Sequence, residues 1–360
     1  MKRLELLDYG RFCAAAMVVL FHYSFNGIAN GKVASISHIP GLIQFSKYGF
    51  LGVELFFLIS GYVIFHSARN RTAAQFASSR AVRLYPSYWF AVLFTAFFAW
   101  LWGNASMAVT PAQVLANLSM FQSYIRVPHV DGVYWTLVLE MQFYIGVLFF
   151  LLIGWQGRLE SIFTLWPFLM AAAWLAGVTR APLIGGYFSY FAAGGLFAIL
   201  KERPNWKAGL ALALAFCLGV NYSISVAADK VVETGTAFSP YVVAAVVAAF
   251  FLFFFALGCE RVQKLHLPGS RTLGALTYPV YLIHAHFGYI VLNRFATSAN
   301  KAWVYFLTVA SVLLVAYGMH RVVEVRFAAF WKRLSNLTVH RAVSEVQRAF
   351  DAVLGRAAVP

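Results

Sequence analysis

The sequence predicts an all-α fold, a polytopic integral membrane bundle of about ten transmembrane helices, and three observations carry that prediction. Of its 360 residues, 61% are hydrophobic and only 11% are charged, far from the balance that lets a water-soluble domain cover its core. The apolar residues gather into stretches long enough to cross about 30 Å of hydrocarbon. The cations then fall mostly on alternate sides of those stretches, as the positive-inside rule requires.

The spans run approximately over 7–28, 45–66, 86–103, 133–154, 161–178, 183–200, 208–225, 239–258, 273–293 and 303–323. With the N-terminus in the cytoplasm, the inside segments hold Lys2, Arg3, Arg69, Arg71, Arg80, Arg83, Arg158, Lys201, Arg203, Lys207, Arg261, Lys264, Arg271 and a basic tail. The outside segments hold only Lys32, Lys47, Arg126, Arg180, Lys230, Arg294 and Lys301. Both termini are therefore expected in the cytoplasm. The opening MKRLELLDYGRFCAAAMVVLFHYSF begins like a signal peptide but lacks a small-residue cleavage site, so it reads as a retained first span.

A net charge of +15 belongs with anionic lipid rather than nucleic acid, because the cations are scattered between apolar runs. Cys13, Cys217 and Cys259 show no paired spacing and no His/Cys cluster, so neither a disulfide framework nor a metal site is implied. Residues 1–325 make up the membrane unit. After it, Phe327, Phe330, Trp331, Leu334, Val339, Val343, Val346 and Phe350 recur at helical steps, with Lys332, Arg333, Arg341 and Arg348 between them. Residues 326–360 thus form a basic amphipathic tail expected to anchor on the inner membrane surface.

Ionisable residues inside a span cost about 2.5–3.5 kcal/mol each at the helix centre, so each asks for a reason. Arg11 and His22, eleven positions apart, return to nearly the same helix face, with a rise of roughly 16 Å between them. Asp8, one turn earlier, can pair with Arg11. The alternative is that Arg11 snorkels to headgroups while His22 merely bonds a neighbouring helix. In the second span Gly52, Ser60 and Gly61 speak first for close helix packing, and Glu54 needs a partner. Arg80 and Arg83 share a helix face at the cytoplasmic entrance, where they are either a topology signal or a fork for nucleotide phosphate. Glu140 should lie about 8–10 Å below the outer surface, a depth His22 also reaches. The two can then meet, either as a carboxylate–imidazole general base or as a structural bond between helices. His284 falls near mid-membrane, whereas His286 points about 200° away and reads as a packed polar residue.

These residues form a pattern. Arg11 and His22 with ten residues between them, the run from Gly52 through Phe56–Phe57 to Ser60–Gly61, Arg80 and Arg83 followed by Tyr85–Pro86 and Tyr88–Trp89, Trp135 ahead of Glu140 and Phe143–Tyr144, and Tyr281–Leu282–Ile283–His284 occur in that order. From about residue 1 to 325 the chain resembles the acyltransferase-3 family of membrane O-acyltransferases. The resemblance implies a multi-pass protein of the bacterial cytoplasmic membrane, with no bound cofactor, that moves an acyl group, usually acetyl, from cytoplasmic acyl-CoA to a carbohydrate or glycolipid hydroxyl on the far side. It implies His22 as the catalytic histidine and Arg11, Arg80 and Arg83 as residues of its motifs, the last two for donor binding; the reading of the residues themselves adds Glu140 as a catalytic partner of His22, and Ser60, Tyr85, Arg69 and His284 as candidate contacts for acyl-CoA or substrate. Two departures are mild: Glu54 stands where many members have aspartate, and Asp8–Tyr9–Gly10 replaces a more usual aspartate-glycine-leucine run. The loops near 29–44 and 104–132, with Trp100, Trp102 and Tyr134, are expected to frame the acceptor unless those aromatics are ordinary belt residues. A proton-coupled transporter is the competing class, because intramembrane His, Glu and Arg also make proton relays, but no inverted repeat is visible. A structural scaffold is weaker still. Oligomeric state is left open.

Overall fold

The computed structural model describes residues 4–178, 181–353 and 355; the predicted flanking cations Lys2, Arg3 and Arg180 lie outside the described residues. Ten apolar helices follow the predicted stretches: α1 (Glu5–Phe21), α2 (Gly52–Arg69), α3 (Ala73–Trp102), α4 (Trp135–Leu152), α5 (Leu159–Leu175), α6 (Phe188–Glu202), α7 (Trp206–Thr234), α8 (Pro240–Gly258), α9 (Ser270–Phe295) and α10 (Lys301–Met319). Among the described residues there is no strand. Local chemistry marks the helix ends. Thr72 and Gln75 form a reciprocal capping box at the start of α3. Asn205 caps α7, which stops where Gly235 takes the left-handed conformation at φ 65°.

Among the described residues, eight helical runs are long and apolar enough to cross a membrane. The two others are α5, with 17 residues, and α6, with 15. At 1.5 Å per residue α6 rises only about 22 Å. Its short reach is tolerated because protein surrounds it: every residue from Phe188 to Ile199 is buried. Large apolar side chains such as Trp100, Leu252 and Phe306 instead face outward, as lipid contact allows.

The second-span glycines serve close packing. A Cβ on Gly61 of α2 would lie 2.0 Å from the Phe191 carbonyl oxygen of α6, and one on Gly194 would lie 2.1 Å from the Leu58 oxygen. Helices α2 and α6 therefore touch backbone to backbone, which only glycine permits.

Between α3 and α4 the chain does not simply loop outside. The Trp89 indole and the Tyr85 hydroxyl of α3 donate to the Leu118 and Ser119 carbonyls at 2.8 and 3.1 Å. Those positions lie on the order of 20 Å along the axis from the helix end at Trp102. The segment 104–134 is thus re-entrant, with its short helix Pro111–Asn117 and its turns tied internally by Asn117, which bonds Gln113, Pro128 and Val130. Irregular backbone at that depth survives only when its polar groups are paired inside the protein.

The tail also docks on the bundle. It forms α11 (Ala328–Ser335) and α12 (Arg341–Val353). Ser335 bonds Ser78 of α3 at 2.9 Å, and Gln347 donates to the Leu152 carbonyl at the end of α4. The start of α1 lies at this same end, because Glu5 accepts from the Leu267 backbone just ahead of α9 while Tyr278 of α9 donates to Leu84 of α3.

Gly61→Val and Gly194→Val should each lower the thermal midpoint of the detergent-solubilised protein, by an overpacking penalty of about 1–3 kcal/mol or more. Gly209→Val, whose added Cβ meets nothing within 4 Å, should leave it unchanged when followed by size-exclusion after heating.

Candidate active site

Two cavities adjoin at Val53 and Tyr281. The first, about 130 Å³, lies toward the end where the tail docks, and Arg11, Arg80, Arg83, Ser60, Glu140, Tyr144 and Tyr278 line it. The second, about 240 Å³, is lined by His22, Asn26, Lys32, Asp131, Lys230 and Tyr289. Val53 and Tyr281 belong to both. The Tyr281 hydroxyl, on α9, meets the Thr136 hydroxyl of α4 at 2.8 Å, so its ring stands as the partition.

The arginine cavity is built from five helices, α1, α2, α3, α4 and α9. Arg11 pairs with Asp8 at 3.7 Å, as the i,i+3 spacing predicted. The Arg80 guanidinium lies over the Tyr144 ring at 5.9 Å and that of Arg83 over Tyr278 at 5.3 Å. Arg83 is further held 3.7 Å from Glu324. The Glu324 carboxylate accepts from Ser87 at 2.7 Å and contacts His320 Nδ1 at 2.8 Å. Glu324 escaped sequence inspection because it sits just beyond the last apolar stretch, in the π-helical turn His320–Arg326.

Several sequence expectations change here. Glu140 accepts from Ser60 at 3.0 Å and from Tyr144 at 2.5 Å, and it lines the arginine cavity rather than the His22 cavity. Depth along a helix said the two could meet; the Tyr281 ring from a third helix stands between their cavities. Arg69 pairs with Glu202 and does not line either cavity. Tyr85 is spent on the re-entrant segment. Glu54 finds its partner in Ser223 of α7, at 3.0 Å. Trp100 is 86% exposed on the outer face, and Tyr134 is buried against Tyr88 at 5.0 Å. His286 anchors the loop, with its Nε2 on the Met107 carbonyl at 3.0 Å and its backbone N–H on Asp131 at 2.9 Å.

The His22 cavity is set by hydrogen-bond logic. His22 opens a π-helical turn, His22–Asn26, inside the first span, a device frequent at functional sites. Tyr305 donates to the Tyr23 carbonyl and Tyr23 donates to the His284 carbonyl. His284 Nδ1 lies 2.7 Å from the Tyr281 carbonyl. A carbonyl only accepts, so that nitrogen carries the proton and His284 Nε2 carries a lone pair. His284 Nε2 faces His22 Nδ1 at 3.1 Å, and His22 Nδ1 also lies 2.8 Å from the Val18 carbonyl. His22 Nδ1 must therefore donate, which leaves the lone pair on Nε2. The Lys230 ammonium, over the Phe21 and Phe50 rings at 5.2 and 5.3 Å, brings positive charge to the same cavity. In the sequence Lys230 was legible only as a cation of the outside segments.

Comparison with known proteins gives the family of the chain. A model of the acyltransferase domain matches residues 4–321. The exopolysaccharide production protein ExoZ of Rhizobium meliloti (strain 1021) is 31% identical over 252 residues, covering 66% of this chain and 75% of that protein. The O-acetyl transferase of Shigella phage Sf6 is 29% identical over 159 residues, covering 40% of this chain and 45% of its own length. No solved structure matches the chain. With the family model covering nearly the whole membrane unit, the chain belongs to the acyltransferase-3 family of membrane proteins.

Proposed function

We propose that the chain is a membrane O-acyltransferase that takes an acyl group, acetyl in the first instance, from acyl-CoA at the cytoplasmic face of a bacterial inner membrane. It places that group on a hydroxyl of an exopolysaccharide, O-antigen or related glycan. The observation that carries the proposal is the pair of cavities sharing Tyr281, with guanidinium groups on one side and a base-competent imidazole on the other.

In this reading Arg80 and Arg83, with Arg11 deeper in the cavity, hold the phosphates of CoA through charge-assisted bonds. The thioester then reaches past Tyr281 toward His22. His22 Nε2 takes the proton from the acceptor hydroxyl as its oxygen bonds to the acyl carbon. The carbon–sulfur bond breaks, and the proton passes from His22 to the departing thiolate, giving free CoA and the O-acyl ester. His284 is a positioning residue: its Nε2 lone pair holds the His22 Nδ1 proton and stabilises the imidazolium, the part a carboxylate plays in other triads. Lys230 offers a cation to the developing oxyanion. Glu140, bonded to Ser60 and Tyr144, balances the charge of the arginine cavity.

His22→Ala should abolish acyl transfer while acyl-CoA binding persists; transfer at the wild-type rate would remove the base from the mechanism. His284→Ala should lower kcat by about 10²-fold or more with little change in KM for acyl-CoA. Arg80→Ala and Arg83→Ala should each weaken acetyl-CoA binding by about tenfold, the equivalent of about 1.4 kcal/mol, as measured by radiolabelled ligand retention in detergent. Glu324→Gln should have a smaller effect in the same direction as Arg83→Ala. A proton-coupled transporter would ignore CoA in all these assays.

A further inference from the structure

We propose that a third cavity, bounded by α4, α5, α6 and α7, is the binding site for the acceptor glycan, and that it delivers one sugar hydroxyl to His22 between Trp135 and Tyr187. The inference rests on the acyl-transfer function above. This cavity is about 640 Å³, larger than the two others and within the roughly 300–1,000 Å³ of small-molecule sites.

Its position is what connects it to the chemistry. Trp135 and Tyr187 line both this cavity and the one that contains His22. Their ring centroids are 5.1 Å apart, so this pair forms a wall between the two chambers, as Tyr281 does between His22 and the arginines. Three chambers thus lie in series, with His22 in the middle one. A donor held by the arginines then reaches His22 past Tyr281, and an acceptor held beyond Trp135 reaches it past a different pair of side chains.

The lining fits a sugar better than a lipid. Tyr187 meets Tyr222 edge to face at 4.8 Å, and Trp174 completes an aromatic surface, the kind of flat apolar face on which the C–H side of a pyranose ring stacks. Beside Tyr222 on α7, Asn221, Ser225 and Asp229 recur at four-residue steps, so they present amide, hydroxyl and carboxylate in one row. Hydroxyl groups pair with such a row. An acyl chain would offer the Asn221 amide and the Asp229 carboxylate no partner, at a cost of the order of a kcal/mol or more per group, whereas the Ser225 hydroxyl already donates to the Asn221 carbonyl at 3.1 Å. The same helix sends its next residue, Lys230, to the His22 cavity, so consecutive side chains of α7 serve the acceptor and the reaction.

The backbone supports a water-filled chamber here as well. Helix α6 starts only at Phe188, and the irregular segment 181–187 ahead of it lines the cavity. Non-helical backbone at membrane depth is tolerated where it lines such a space.

The test uses a strain lacking the gene, complemented with the full chain or its variants, and two readouts: acetate released by mild alkali from total surface glycan, and binding of radiolabelled acetyl-CoA to the purified protein in detergent. Trp174→Ala and Asn221→Ala, both at exposed positions, should cut glycan acetate by about tenfold while acetyl-CoA binding stays within about twofold of wild type, and Trp174→Phe should recover most of the acetate. Full glycan acetylation by the Trp174→Ala/Asn221→Ala double variant would overturn the assignment, as would loss of acetyl-CoA binding in proportion to acetate. Unchanged acetylation with loss of a co-purifying phospholipid would give the cavity to lipid, and so overturn it too. A wild-type chain that neither binds acetyl-CoA nor restores acetate would overturn the acyl-transfer function itself, a result distinct from all of these.

Discussion

The hydrogen bond from His284 Nδ1 to the Tyr281 carbonyl, 2.7 Å long, decides the chemistry of the whole site. It places the proton of His284, and through it the proton of His22, so that His22 Nε2 carries the lone pair. The residue that supplies this carbonyl also supplies, through its ring and its bond to Thr136, the partition between the arginine and histidine cavities. One residue of α9 thus controls both the protonation pattern and the division of space. That economy follows from the membrane setting, where every polar group must find its partner within the protein.

The same constraint explains the departures from a simple array of spanning helices. Helix α6 is short because protein surrounds it on every side, and the glycine contact of Gly61 with Gly194 brings α2 against it. The re-entrant segment between α3 and α4 survives because its carbonyls meet Tyr85 and Trp89 and its turns bond Asn117. Each of these irregularities borders a cavity or packs against the side chains that pair it.

Arginines on one side and an unprotonated imidazole nitrogen on the other divide the molecule into a face suited to an anionic donor and a centre suited to proton transfer. A further chamber shares Trp135 and Tyr187 with the His22 cavity, whereas the arginine cavity shares Val53 and Tyr281 with it. This order matches a reaction whose two substrates never need to share an entrance. It also gives a role to side chains, such as Lys230 and Asp229, that a helix count treats as boundary markers.

Much was legible in the sequence because its signals are periodic and costly to violate. Apolar length and the placement of cations determined an all-helical membrane bundle, and the spacing of Arg11 with His22 and of Arg80 with Arg83 marked residues that do line cavities. The Asp8–Arg11 pair was legible for the same reason, since i,i+3 neighbours must meet on a helix. What the sequence could not contain was the angle at which separate helices face one another. Glu140 and His22 share a depth by counting, yet a ring from α9 divides their cavities; Arg69 is drawn to Glu202, and Tyr85 to a loop that returns along α3. Rise per residue is a property of one helix and can be read from its chain. Which side chain fills the space between helices depends on packing among all of them, and only the tertiary structure decided that His284 is the partner of His22.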